Sequence, residues 1–149
     1  MIKKNIVIIS LIFILTNCGF TPIYLNKNDV NFSIEQINFT GDRDLNNFLK
    51  IYLNRYKNEE MENKFFIEAE SKYKKIILSK DRTGKVTNYQ LEAEVIFLIK
   101  PTNKEIKFIE KKIMDSVDDR LDEIKNEKTA KQNFAISISK KLTSELVIN

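Results

Sequence analysis

Histidine and tryptophan are absent from this 149-residue chain, and cysteine, proline and glycine number only one, two and three. Without histidine the chain lacks the commonest general base and the commonest catalytic metal ligand. A lone cysteine cannot close an internal disulfide. So little proline and glycine argues against long flexible linkers. A strong excess of one charge is missing too, with 25 basic against 21 acidic side chains. Lysine, at 21 copies against four arginines, rises together with isoleucine and asparagine. A low-GC coding sequence does this, so the basic balance is no nucleic-acid footprint.

What is present begins with one apolar run, Ile6 to Leu15, interrupted only by Ser10 and preceded by Lys3 and Lys4. About ten residues is too short for a stable membrane span, but it has the parts of a secretion signal. The run ends at Leu15-Thr16-Asn17-Cys18. Leu15 and Thr16 suit a lipoprotein signal, whereas Asn17 stands where glycine, alanine or serine is usual. The expectation is a signal over residues 1–17 and a covalent diacylglycerol on Cys18, which would become the first mature residue. Residues 18–31 then form a lipidated start and tether. Phe20, Ile23 and Tyr24 give that piece reason to lie along the domain, and residues 32–149 form a single domain. With Lys3 and Lys4 gone, 23 basic and 21 acidic side chains remain.

The rest of the chain reads as strand, helix, three strands, helix. The first strand covers Phe32–Phe39; its apolar parity flips between Phe32/Ile34 and Ile37/Phe39, which calls for a bulge. Asp42 is placed to cap a helix over Arg43–Lys57, with Leu45, Phe48, Leu49, Tyr52, Leu53 and Tyr56 on one face. Lys64–Ser79 and Val86–Ile99 alternate as strands around a Lys80–Lys85 turn with Gly84 at its tip. The second strand turns apolar on both sides at Ile76, Ile77 and Leu78. The third has Tyr89, Leu91, Ala93, Val95, Phe97 and Ile99 on one side. The fourth strand, Glu105 to about Ser116, is expected to turn Ile106 and Phe108, then Ile109 and Ile113, inward across a second parity shift. Asp115, Asp118, Asp119, Asp122 and Glu123 form an acidic run. It lacks the ligand alternation and the glycine of a calcium loop, and is expected to be a solvated face. The last helix is expected from about Glu123 to Val147, with Ile124, Ala130, Phe134, Ala135, Ile138, Leu142 and Leu146 facing in.

A right-handed crossover makes the first two strands parallel, and two hairpins make the rest antiparallel. The expected fold class is an α/β (α+β) two-layer sandwich: a four-stranded mixed sheet with two helices on one face, in the order β-α-β-β-β-α. The sheet's other face carries Glu, Lys, Gln and Asn.

Cys18-Gly19-Phe20-Thr21-Pro22-Ile23-Tyr24 resembles the lipidated start of the lipopolysaccharide-assembly lipoprotein (LptE, or RlpB) family, commonly Cys-Gly-Phe-x-Pro-Leu-Tyr. Gly41-Asp42-Arg43 before a leucine-rich helix is similar too, as is Arg82-Thr83-Gly84 before a long alternating strand with Tyr89 and Leu91. The resemblance implies two helices on a four-stranded sheet, and an outer-membrane lipoprotein on the periplasmic face. It implies as partners an LptD-type outer-membrane β-barrel, which such a protein plugs and helps to fold, and lipopolysaccharide. Gly19 after the cysteine, where aspartate would retain a lipoprotein inside, agrees with outer-membrane sorting.

Phosphate-contact candidates are the cations of the second strand and its turn: Lys72, Lys74, Lys75, Lys80, Arg82 and Lys85. The alternative is an accessory lipoprotein of another lipid-transport complex that holds a lipid itself in an apolar groove. An enzyme is disfavoured: Ser71 with Lys75 and Ser139 with Lys140 have no supporting context, and no cofactor or metal is expected beyond the lipid.

Overall fold

The computed structural model describes residues 31–100 and 102–148. The signal, Cys18 and the tether up to residue 30 lie outside the described residues. Strand β1, Ser33–Gly41, carries the bulge its sequence calls for. Ile34 pairs with Phe65 and Gln36 with Phe66, leaving Glu35 as the extra residue. That residue resets the parity, so Phe32 and Ile34 are buried and Ile37 and Phe39 still pack against the same core.

β1 passes into helix α1, Arg43–Leu53, through Gly41 and Asp42. Gly41 has φ +96°, and a Cβ there would lie 1.8 Å from the Ser71 carbonyl oxygen. The backbones touch because the Asp42 N–H donates to that oxygen at 3.2 Å. The Asp42 side chain accepts from the Leu45 N–H at 2.8 Å, as an N-cap should. Leu45, Leu49 and Leu53 are fully buried. The last predicted turn is instead a 3₁₀ turn, Asn54–Tyr56, from which Tyr56 stacks on Phe32.

Strands β2 (Lys64–Lys80), β3 (Val86–Lys100) and β4 (Lys104–Asp115) complete a sheet in sequence order, β1 parallel to β2 and the others antiparallel. This is the expected architecture. On β3, Leu91, Ala93, Val95, Phe97 and Ile99 form the middle of the core. β4 departs from expectation. Its register with β3 runs unbroken from Asn88↔Asp115 to Ile99↔Lys104. Without a bulge, Ile106, Phe108, Glu110 and Met114 share the helix side, and Ile109 and Ile113 are exposed on the outer face. The apparent parity shift was two isoleucines on the wet side of a regular strand.

Helix α2, Arg120–Ile148, is 29 residues and about 43 Å long at ~1.5 Å per residue. It starts earlier than predicted because Asp119 accepts from the N–H groups of Leu121 and Asp122. Its buried face begins only at Ala130 and runs through Phe134, Ala135, Ile138, Leu142 and Leu146. Ile124, expected inside, is 54% exposed. It lines an open pocket with Asp44, Glu127, Lys128 and Lys131 instead of meeting the aliphatic core. Among the described residues no helix is long and apolar enough to cross a membrane.

Candidate functional site

The β2–β3 hairpin and the start of α2 extend past α1 and form a distinct end of the molecule. On the helix side of β2 the aliphatic pattern gives way there to Tyr73, Lys75 and Ile77, opposite Ala93, Leu91 and Tyr89. Charge binds α2 to this stretch. Lys131, 11% exposed at its side chain, pairs with Asp42 at 3.1 Å and Asp44 at 3.6 Å and lies 4.2 Å from the centre of the Tyr73 ring. Lys75 bonds to Glu123 and, at 3.1 Å, to Glu127, and covers the Tyr89 ring at 4.3 Å. Partial burial pulls the Lys75 pKa down, but its bonds to Glu123 and Glu127 outweigh that and hold it above the ordinary value. Burial, reinforced by Glu127, pushes the Tyr73 hydroxyl well up.

At the tip the loop is fixed by one carboxylate. Asp81 accepts from the Thr83 N–H at 2.8 Å, the Thr83 hydroxyl at 2.7 Å and the Lys85 N–H at 3.0 Å. The Thr83 hydroxyl bond is the main reason its pKa is lowered. Gly84 turns the chain at φ +86° with open space around it. Below the loop the Ser79 hydroxyl meets the Thr87 hydroxyl and the Asn88 side chain. The tip is thus a preset platform.

The six candidate cations divide three ways. Lys80, Arg82 and Lys85 share the tip. Lys85 pairs with Asp118, a bond that raises the lysine and lowers the aspartate. Lys80 and Arg82 enter no ion pair among the described residues. Lys72 and Lys74 lie on the outer sheet face between Glu92 and Glu94, and Lys72 pairs with Glu70 at 2.9 Å. Lys75 lies on the opposite face, held by α2. The structure therefore brings together the three loop cations and separates them from Lys75. Ser71 shares a face with Lys75, but its hydroxyl donates to the carbonyls of Thr40 and Asp42.

Sequence reasoning missed an apolar collar behind the tip. Ile76, Ile77 and Leu78 are exposed in succession, Ile113 lies across Gln90 from Ile76, and Leu121, just after the Asp118 that pairs with Lys85, is exposed on α2. Its signal was the loss of alternation at Ile76–Leu78. Four acids of the adjoining run each have a side-chain bond. Asp115 accepts from the Asn88 side chain, Asp118 pairs with Lys85, Asp119 caps α2, and Glu123 holds Lys75.

No family model and no curated protein matches the sequence. Solved structures do. The crystal structure of rare lipoprotein B from Shewanella oneidensis aligns with a TM-score of 0.52 at 18% identity, over 75% of this chain and 96% of that one. This chain has the rare lipoprotein B fold. A putative lipoprotein from Caulobacter crescentus aligns at TM-score 0.48 and 11% identity, over 75% of this chain and 88% of that one. Lipoprotein B from Nitrosomonas europaea aligns at 0.43 and 16%, over 79% and 83%.

Proposed function

We propose that this chain is a lipopolysaccharide-assembly lipoprotein, anchored through Cys18 to the outer membrane and facing the periplasm. It seats in the lumen of an LptD-type β-barrel, assists that barrel's folding, and aids delivery of lipopolysaccharide to the outer leaflet without covalent catalysis. The observation that carries the proposal is the likeness to nearly the whole of rare lipoprotein B, in a chain whose sequence also carries Cys18-Gly-Phe-Thr-Pro-Ile-Tyr24.

The surface suits that setting. The outer sheet face pairs most of its charges, with Lys107–Glu94 at 2.7 Å and Lys111–Glu92 at 2.9 Å, which fits a water-filled lumen. Glu94 is held below the usual carboxylate range chiefly by its bond from Lys107. The tip offers what a phosphorylated, acylated lipid asks for: Lys80, Arg82 and Lys85 for phosphates and the collar behind them for acyl chains. The collar also favours the alternative, an accessory lipoprotein of another lipid-transport complex.

Affinity purification of the tagged, lipidated chain from total membranes separates the two. A large β-barrel among the co-purifying proteins supports barrel seating. An inner-membrane transporter without a barrel would support the alternative and sink the first reading.

A further inference from the structure

At the side of the sheet away from β4, one edge is uncovered among the described residues. There β1 pairs only with β2, and its other side borders a cavity of about 480 Å³ shared with α1. Half-buried Ile37 and Phe39 lie along its strand side. Arg43, Asn46, Asn47 and Lys50 line its helix side. The groove is thus bounded by an open strand edge on one side and a helix on the other.

Two features separate this edge from the one at the far side of the sheet. β4 carries Lys104, Lys107, Lys111 and Lys112, which discourage another strand from adding to it. β1 has no lysine and no proline, and its bulge lies upstream of Ile37, so the stretch Ile37–Gly41 keeps a regular register with β2. The second feature is charge. The groove residues include two cations and no carboxylate. Neither Arg43 nor Lys50 enters an ion pair among the described residues. The acid of α1's first turn, Asp44, is engaged by Lys131 instead.

We propose that this groove binds an extended acidic segment of a partner protein, added as a fifth strand along β1. Main-chain bonds to the free edge would supply affinity, and alternate side chains would supply selectivity. Side chains facing α1 would meet Arg43 and Lys50, which favours carboxylates at every second position. Side chains of the other phase would lie beside Asn38 and Thr40, whose register partners are Glu68 and Glu70, which favours neutral residues there. Five residues span about 16 Å at ~3.3 Å each, the length of Ile37–Gly41. The inference does not rest on the barrel or lipid reading.

The test uses the full chain in detergent micelles and a blocked peptide alternating threonine with glutamate, against a threonine–lysine counterpart. The glutamate peptide should bind at least about tenfold tighter, weaken with salt, and slow amide exchange within Ile37–Gly41. Arg43→Glu with Lys50→Glu should abolish or reverse that preference while leaving thermal melting unchanged, since both residues are exposed. Equal binding of the two peptides, binding of neither, or an unchanged preference in the double variant overturns the proposal. In cells, a photo-crosslinker at exposed Asn38 should capture an acidic segment of another protein. Capture of this chain's own residues 19–30, of a second copy, or of nothing overturns it as well.

Discussion

Gly41→Ala is the substitution for which the structure gives the sharpest expectation. Two costs arise together. At φ +96° an L side chain adds strain of about 1–2 kcal/mol. The new methyl would also lie 1.8 Å from the Ser71 carbonyl oxygen and 2.9 Å from its carbonyl carbon. These atoms are backbone of the neighbouring strand, so no side-chain rotation relieves the clash. β1 must move off β2 by more than an ångström, which breaks the Asp42 N–H bond to Ser71 and displaces the Asp42 cap of α1. Losing a bond and a cap adds about 1 kcal/mol each, so the total reaches roughly 3–4 kcal/mol, a large share of a small domain's stability. Gly84→Ala is the control. Its φ of +86° imposes similar strain, but nothing lies within 4 Å of the added methyl. It should cost only about 1–2 kcal/mol. The assay is urea unfolding followed by circular dichroism, with both variants compared at equal slope. If Gly41→Ala costs no more than Gly84→Ala, the close approach of β1 to β2 is not the constraint described.

The elements and their order were legible because most buried positions follow the period of their element. Leu45, Leu49 and Leu53 recur every four residues, and Leu91 to Ile99 every two. The β1 bulge was legible from a parity flip between two pairs of large apolar residues. The same logic failed on β4, since periodicity counts apolar residues without knowing which face is covered, and Ile109 and Ile113 are apolar on the uncovered face. It failed again at Ile124, where the helical period continues but the sheet partner has changed from aliphatic to Tyr73 and Lys75. The tip cations could be read from one turn in the sequence. That Lys75 belongs to the other face follows from strand parity. That it is neutralised by Glu123 and Glu127 needs contacts across 48 and 52 residues, which no local pattern carries.

Leu49→Ala should lower stability by roughly 2–5 kcal/mol, whereas Ile124→Ala should change it by less than about 0.5 kcal/mol; reversal of that order in thermal melts would mean the two faces are misassigned. Cys18→Ala should leave the chain soluble on fractionation and without acyl mass by mass spectrometry, and an unmodified wild type would remove the anchor. Acid should unfold the protein partly through Glu110. Burial raises its pKa, but bonds from Lys141 and Ser137 outweigh that and leave it below 4.5. The stability it confers is therefore complete above the unfolded value and lost as pH falls below about 4.5 through the folded value. Glu110→Gln should flatten that limb of the stability curve, and an unchanged limb would assign acid unfolding to other carboxylates. The last prediction concerns the tip. Lys80→Glu, Arg82→Glu and Lys85→Glu together should sharply weaken lipopolysaccharide binding, and salt should weaken wild-type binding too. Melting should barely shift, because Asp81 and not the cations fixes the loop, and solvent screens the exposed Lys85–Asp118 pair. Because the collar survives in this variant, any binding left at high salt measures the acyl contribution alone. Equal affinities with equal melting would take the hairpin out of the proposed lipid contact and leave barrel seating as the proposed role.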